Sequence, residues 1–99
     1  MRWVFDIDGT LCDTNGTDYM NSEPDESMII LVNMLYDKGD YITIQSARGS
    51  SSGIDWYQKT KDQLDKWGLK YHKLILNKPA GDIYVDDASI KPEEFRNII

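Results

Sequence analysis

The 99-residue sequence predicts an α/β fold, a single three-layer domain built on a minimal, mostly parallel sheet of about four strands. Three observations carry that expectation. Four β-rich runs of strand length occur, at 3–7, 41–45, 71–76 and 82–85. Helix-patterned stretches separate the first run from the second and the second from the third. The length allows one core but not two, so residues 1–99 are read as one domain.

In chain order, Trp3-Val4-Phe5 opens the first strand, which ends in the carboxylates Asp6 and Asp8 followed by Gly9 and Thr10. Residues 11–23 are rich in Asn, Asp, Thr and Gly, and an irregular stretch of that length is either disordered or a functional flap. A helix follows in "PDESMIILVNMLYDKG": Pro24 suits a first turn, Asp25 and Glu26 favour the positive end of the dipole, and Gly39 stops it. A second, amphipathic helix lies in "IDWYQKTKDQLDKWG", with Trp56, Thr60, Leu64 and Trp67 at helical spacing and Gly68 as terminator. The "KPEEFRNII" stretch reads as a short helix opened by Pro92.

Strand–helix–strand alternation implies right-handed crossovers, which gather the carboxyl ends of the parallel strands on one edge, where ligands bind. That edge then receives Asp6 and Asp8, Ser46 after the second strand, Lys78 after the third, and Asp86 and Asp87 after the fourth. Four carboxylates so close require a hard cation, and an oxygen-only set suits Mg²⁺. Mg²⁺ together with Lys78 would attract phosphate.

The net charge of −6 argues against nucleic acid as a bulk partner, since phosphate backbones are held mainly by Lys and Arg. No apolar segment approaches the roughly 20 residues of a bilayer span, and no secretory leader is visible, so the expectation is a cytoplasmic protein with no membrane partner. The single cysteine, Cys12, cannot form an internal disulfide and is assigned no role.

In order and strand context, "DIDGT", a Ser after the second strand, a Lys after the third and "DD" after the fourth resemble the four motifs of the haloacid dehalogenase (HAD) superfamily of phosphohydrolases. The fuller pattern, including Tyr19 and Asn21, "SARGSSSGIDW" and "DIYVDD", resembles a subgroup associated with capsular or polysaccharide biosynthesis. The resemblance implies a Rossmann-like domain without a cap and a phosphomonoesterase working through an aspartyl-phosphate. It implies Asp6 as nucleophile and Asp8 as general acid and base, with Thr10 supporting the loop. Ser46, the Ala47 backbone amide and Lys78 would bind the phosphoryl oxygens. Mg²⁺ would be held by Asp6, the Asp8 carbonyl and Asp86, with Asp87 acting through water or orienting Lys78. Tyr19 and Asn21 would contact the leaving group, and Arg48 would either orient the loop or touch substrate. The expected substrate is a sugar phosphate or related small phosphorylated metabolite: a site without a cap would take a small sugar phosphate or nucleotide if a neighbouring subunit covers it, as in a homo-oligomer, or a phosphate at the end of something larger if none does.

Simpler readings stand beside these. An EF-hand needs Gly and an acid where this chain has Leu11 and Thr17. "GSSSG" lacks the ending of a phosphate loop, which leaves a flexible turn. His72 reads as an exposed strand residue, and Trp56, Tyr57 and Trp67 as core or interface aromatics. The rivals from other classes are a receiver-like phospho-acceptor, whose acidic pair and Lys come in a different order, and a catalytically silent binding module.

Overall fold

The computed structural model describes residues 1–98. Its elements are β1 (Arg2–Asp6), β2 (Cys12–Asp13), β3 (Glu23–Pro24), α1 (Glu26–Asp37), β4 (Tyr41–Gln45), α2 (Tyr57–Lys66), β5 (Lys73–Ile75) and α3 (Pro92–Ile98), with a 3-10 turn at Tyr19–Asn21. The three longer strands form a parallel sheet in the order β1-β4-β5, with Phe5 beside Ile44 and Ile44 beside Leu74. The α/β class and the parallel sheet are as the sequence predicts.

Alternation decides which face is covered. Phe5, Ile42, Ile44 and Leu74 are buried, whereas Val4 and Lys73 on the other face are exposed and Thr43 between them is half-buried. The buried face meets Met28, Val32 and Leu35 of α1 and Leu64 of α2 in one core. Phe95 of α3 adds edge-on contacts with Trp3 and Phe5, at 5.5 and 5.1 Å between ring centroids.

α1 begins at Glu26, two residues after Pro24. The Asp25 side chain accepts from the Met28 amide at 3.2 Å and caps the helix, while Pro24 lies in β3. Arg96 from α3 pairs with the same Asp25 carboxylate, tying the chain's last helix to the start of the first. His72 is exposed, as expected, but it is also built in: its ring stacks between Tyr36 and Tyr41, and Nδ1 accepts from the Ile42 amide at 3.0 Å.

The fourth strand is the main correction. Residues 82–85 form no strand, so the parallel sheet has three strands rather than about four, and Ile83 and Val85 stand 82% and 95% exposed. Local interactions take the place of pairing. The Tyr84 hydroxyl donates to the Pro79 carbonyl at 2.7 Å and accepts from the Gly81 amide at 3.0 Å, and its ring lies 4.1 Å from the Lys78 ammonium. These contacts close 79–84 into a turn beside Lys78.

Candidate active site

The end of β1 and the loops after β1, β4 and β5 enclose a cleft of about 440 Å³, whose walls include Asp6, Asp8, Arg48, Trp56, Lys78 and Tyr84. Asp6 ends β1, and Asp8 follows in a tight turn where the Thr10 and Leu11 amides both bond to the Ile7 carbonyl and Gly9 takes a φ of 86°. That turn aims two carboxylates at one space.

Their charge partners differ. Asp6 faces Lys78, with Nζ 3.4 Å from Oδ1. Burial pushes the Asp6 carboxyl above its ordinary value, more strongly than the Lys78 charge and the Ile7 amide pull it down, and repulsion from Asp8 adds to the rise. Asp8 is gripped by Arg48 through both oxygens, from Nε to Oδ2 at 3.0 Å and from Nη2 to Oδ1 at 2.8 Å. The Thr14 hydroxyl donates to Oδ1 as well, at 2.5 Å. Burial pushes the Asp8 carboxyl up, but the Arg48 hydrogen bonds, the Thr14 hydroxyl and the Arg48 charge together outweigh it and hold the group below its usual range.

Arg48 is 2% exposed and serves the loop and the acid together, with Nη1 also bonded to Gln63 Oε1 at 2.7 Å and Thr60 Oγ1 at 3.3 Å. Ser46 is almost wholly buried, and its hydroxyl accepts from the Arg48 amide at 3.0 Å, turning the chain after β4. Ala47 lines the cleft. Lys78 is seated by its own amide, which donates to the Ser46 carbonyl at 3.2 Å. The "GSSSG" stretch is an ordered turn: the Ser50 and Gly53 amides bond back to Ala47 and Gly49, and Ser50, Ser51 and Ser52 line the cleft. Gly49, at φ 81°, is required there, because a Cβ would lie 2.3 Å from the Ile54 carbonyl oxygen.

The flap expected at 11–23 is pinned at both ends. β2 pairs antiparallel with β3, and the Asp25 amide reaches the Leu11 carbonyl at 2.9 Å. Tyr19 enters the cleft, its ring 4.7 Å from the Arg48 guanidinium carbon and edge-on to Trp56. Asn21 points elsewhere: it is exposed and bonded to the Asp18 carboxylate at 3.0 and 3.1 Å.

Asp6, Asp8, Ala47, Arg48, Lys78 and Tyr19 are thus brought together, and Ser46 supports them from beneath. Asp86 and Asp87 are not brought in. Both are exposed, and Asp86 Oδ1 accepts from the Ala88 amide at 2.9 Å. Among the described residues no three acids, His or Cys converge to hold a metal ion. The Asp6 and Asp8 oxygens have the chemistry that Mg²⁺ takes; the third expected ligand, Asp86, is displaced because 82–85 forms no strand of the sheet.

The hydroxyl that touches Asp8 belongs to Thr14, whereas Thr10 contributes its backbone amide to the turn. Thr14, Trp56, Gln63 and Tyr84 were not legible as site residues. Only Gln63 left a trace, as a polar residue beside Leu64 on the apolar stripe of α2.

A family model described as "Polynucleotide kinase PNKP phosphatase domain" matches residues 1–99. A structural-genomics target from Vibrio cholerae superposes with a TM-score of 0.86 at 28% identity, over 95% of this chain and 85% of that one. A chain of a Pnkp1/Rnl/Hen1 complex shares the fold, with a TM-score of 0.60 at 23% identity over 99% of this chain, which spans about a third (34%) of that one. No curated protein matches. A whole-length family match, on a parallel α/β fold with a paired-acid cleft and no inserted cap, carries one conclusion: this chain belongs to the PNKP phosphatase-domain family, a small form of the HAD fold.

Proposed function

We propose that the chain is a phosphomonoesterase that transfers a phosphoryl group to Asp6 and then to water. The observation that carries this is the pairing of two adjacent carboxylates with opposite surroundings in one cleft, Asp6 toward Lys78 and Asp8 locked by Arg48. An Asp6 oxygen attacks phosphorus while the leaving oxygen departs and takes a proton from Asp8. Water then attacks the acyl phosphate, gives its proton to the Asp8 carboxylate and releases inorganic phosphate, which restores Asp6. Lys78 and the loop amides around Ala47 face the phosphoryl oxygens and stabilise their charge. Arg48 holds Asp8 ionised, the form the second half requires.

Mg²⁺ would be held by Asp6, the Asp8 carbonyl and Asp86, and would neutralise charge on the transferring group. Asp86 joins the others only if residues 82–87 move from their present exposed position.

The proposed substrate is a small phosphorylated metabolite such as a sugar phosphate, with surface-polysaccharide synthesis as a setting suggested by the motif resemblance. A second reading, a phosphate at the end of a nucleic acid strand, is favoured by the family description. The charge of −6 counts against it. Phosphate release from sugar phosphates, nucleoside monophosphates and a 3′-phosphorylated oligonucleotide should favour the first group, vanish with a chelator and return with Mg²⁺. Preference for the oligonucleotide would overturn the metabolite reading, and full activity in excess chelator would remove the metal.

The transfer itself is tested by Asp8→Asn. With nitrophenyl phosphate, whose leaving group needs no proton, a burst of about one equivalent followed by slow turnover is expected, while alkyl phosphates should react poorly. Equal losses on both esters, with no phosphate trapped on Asp6, would show that Asp8 moves no proton.

A further inference from the structure

We propose that Gln63 is a positioning residue that couples the seating of the flap to the orientation of Asp8. Gln63 lies on α2, is 9% exposed and is not among the residues lining the cleft. Both ends of its amide are engaged. Oε1 accepts from Arg48 Nη1 at 2.7 Å, and Nε2 donates to the Tyr19 carbonyl at 2.7 Å.

The orientation of that amide is forced, because a guanidinium only donates and a carbonyl only accepts. Past Gln63, Nε and Nη2 of the same Arg48 grip Asp8, while the Tyr19 ring lies over the guanidinium. The guanidinium is planar, so an acceptor fixed at one nitrogen fixes the plane in which the other two meet the carboxylate. Tyr19 therefore sets Arg48 twice, by its ring and through Gln63. No other neutral side chain of this length supplies a donor and an acceptor together.

The role rests on the proposed reaction where Asp8 is concerned, and its flap half is readable without turnover. Gln63→Glu keeps an acceptor for Arg48 and loses the donor to Tyr19, whereas Gln63→Met fills the space and loses both. Loss of one buried hydrogen bond corresponds to about tenfold.

In Gln63→Glu, chymotryptic cleavage at Tyr19 should rise about tenfold and KM should rise similarly, with the alkyl-to-aryl kcat ratio held. In Gln63→Met, cleavage should rise as much and that ratio should also fall about tenfold. Thr60→Val removes only the other contact on Nη1, so it should leave flap cleavage at the wild-type rate, and it keeps the comparison available if Gln63→Met does not fold. Wild-type cleavage in Gln63→Glu would overturn the coupling to the flap. Raised cleavage with an unchanged ester ratio in folded Gln63→Met would overturn the coupling to Asp8. Raised cleavage in the variants of a wild-type protein that itself hydrolyses no ester would refute the phosphatase reading and leave Gln63 a flap anchor alone.

Discussion

Asp6→Asn should abolish turnover with every phosphate ester and leave a protein that melts no lower than the wild type. Activity goes because, in the proposed reaction, Asp6 is the group that attacks phosphorus. The stability half follows from the sign of the Asp6 shift. Its folded-state pKa is raised, chiefly by burial, so the folded protein binds this proton more tightly than the unfolded chain. In metal-free protein the charged form therefore works against folding. Stability from this group is lost as pH rises from the ordinary value of 3.8 through the raised one. A neutral amide of the same shape removes that cost while setting Lys78 free. Melting curves at pH 7 in chelator, read beside assays on aryl and alkyl esters, check both halves. A marked drop in Tm would show that the Lys78 pair outweighs the burial.

Arg48→Ala should give the largest loss of stability of any single substitution in the site. The Arg48 side chain is fully buried, and its removal strips Asp8 of two bonds and leaves Gln63 Oε1 without its donor. Breaking a buried pair from one side costs about 3–5 kcal/mol. Because the Asp8 side chain is 27% exposed, the lower end applies. A loss of about 3 kcal/mol in a domain this size lowers Tm by more than about 10 °C. Arg48→Lys keeps the charge without the fork and should fold, yet lose about a hundredfold in kcat on alkyl esters. The pH dependence supplies an independent reading. Asp8 is depressed in the folded state, so its contribution is complete above the ordinary 3.8 and disappears as pH falls through the lower folded value. Arg48→Ala should lose most of that acid limb. Denaturant titrations from pH 2 to 7 measure it, and an identical slope in both proteins would count against the pair.

The sequence announced what periodicity and chain order can carry. β1, β4, β5 and the three helices follow from alternation and helical spacing, and Asp6, Asp8, Ala47 and Lys78 reach one cleft because parallel strands end on one edge. Contacts made across the chain stayed hidden. Nothing in "SARG" says that Arg48 turns inward, since that depends on Gln63 and Thr60 from a helix a dozen residues away. The failure at 82–85 has a local cause: the pattern "DIYV" satisfies strand propensity, but Tyr84 bonds to Pro79 and Gly81 instead. Propensity describes a side chain's preference and not whether a partner edge is reached.

The open margin of that sheet bears on how copies of the protein coexist in solution. Among the described residues β1 has a neighbour on one side only, and Val4 and the loop residues Ile83 and Val85 present apolar surface to water. An unpaired strand edge is a template for another chain, and a flat barrier such as an inward lysine or a proline is missing from 3–5. The formal charge of −6 on every copy opposes such pairing, through a repulsion that acts over roughly 10 Å in dilute salt and fades as ions are added. Association through this edge is therefore expected to rise with ionic strength.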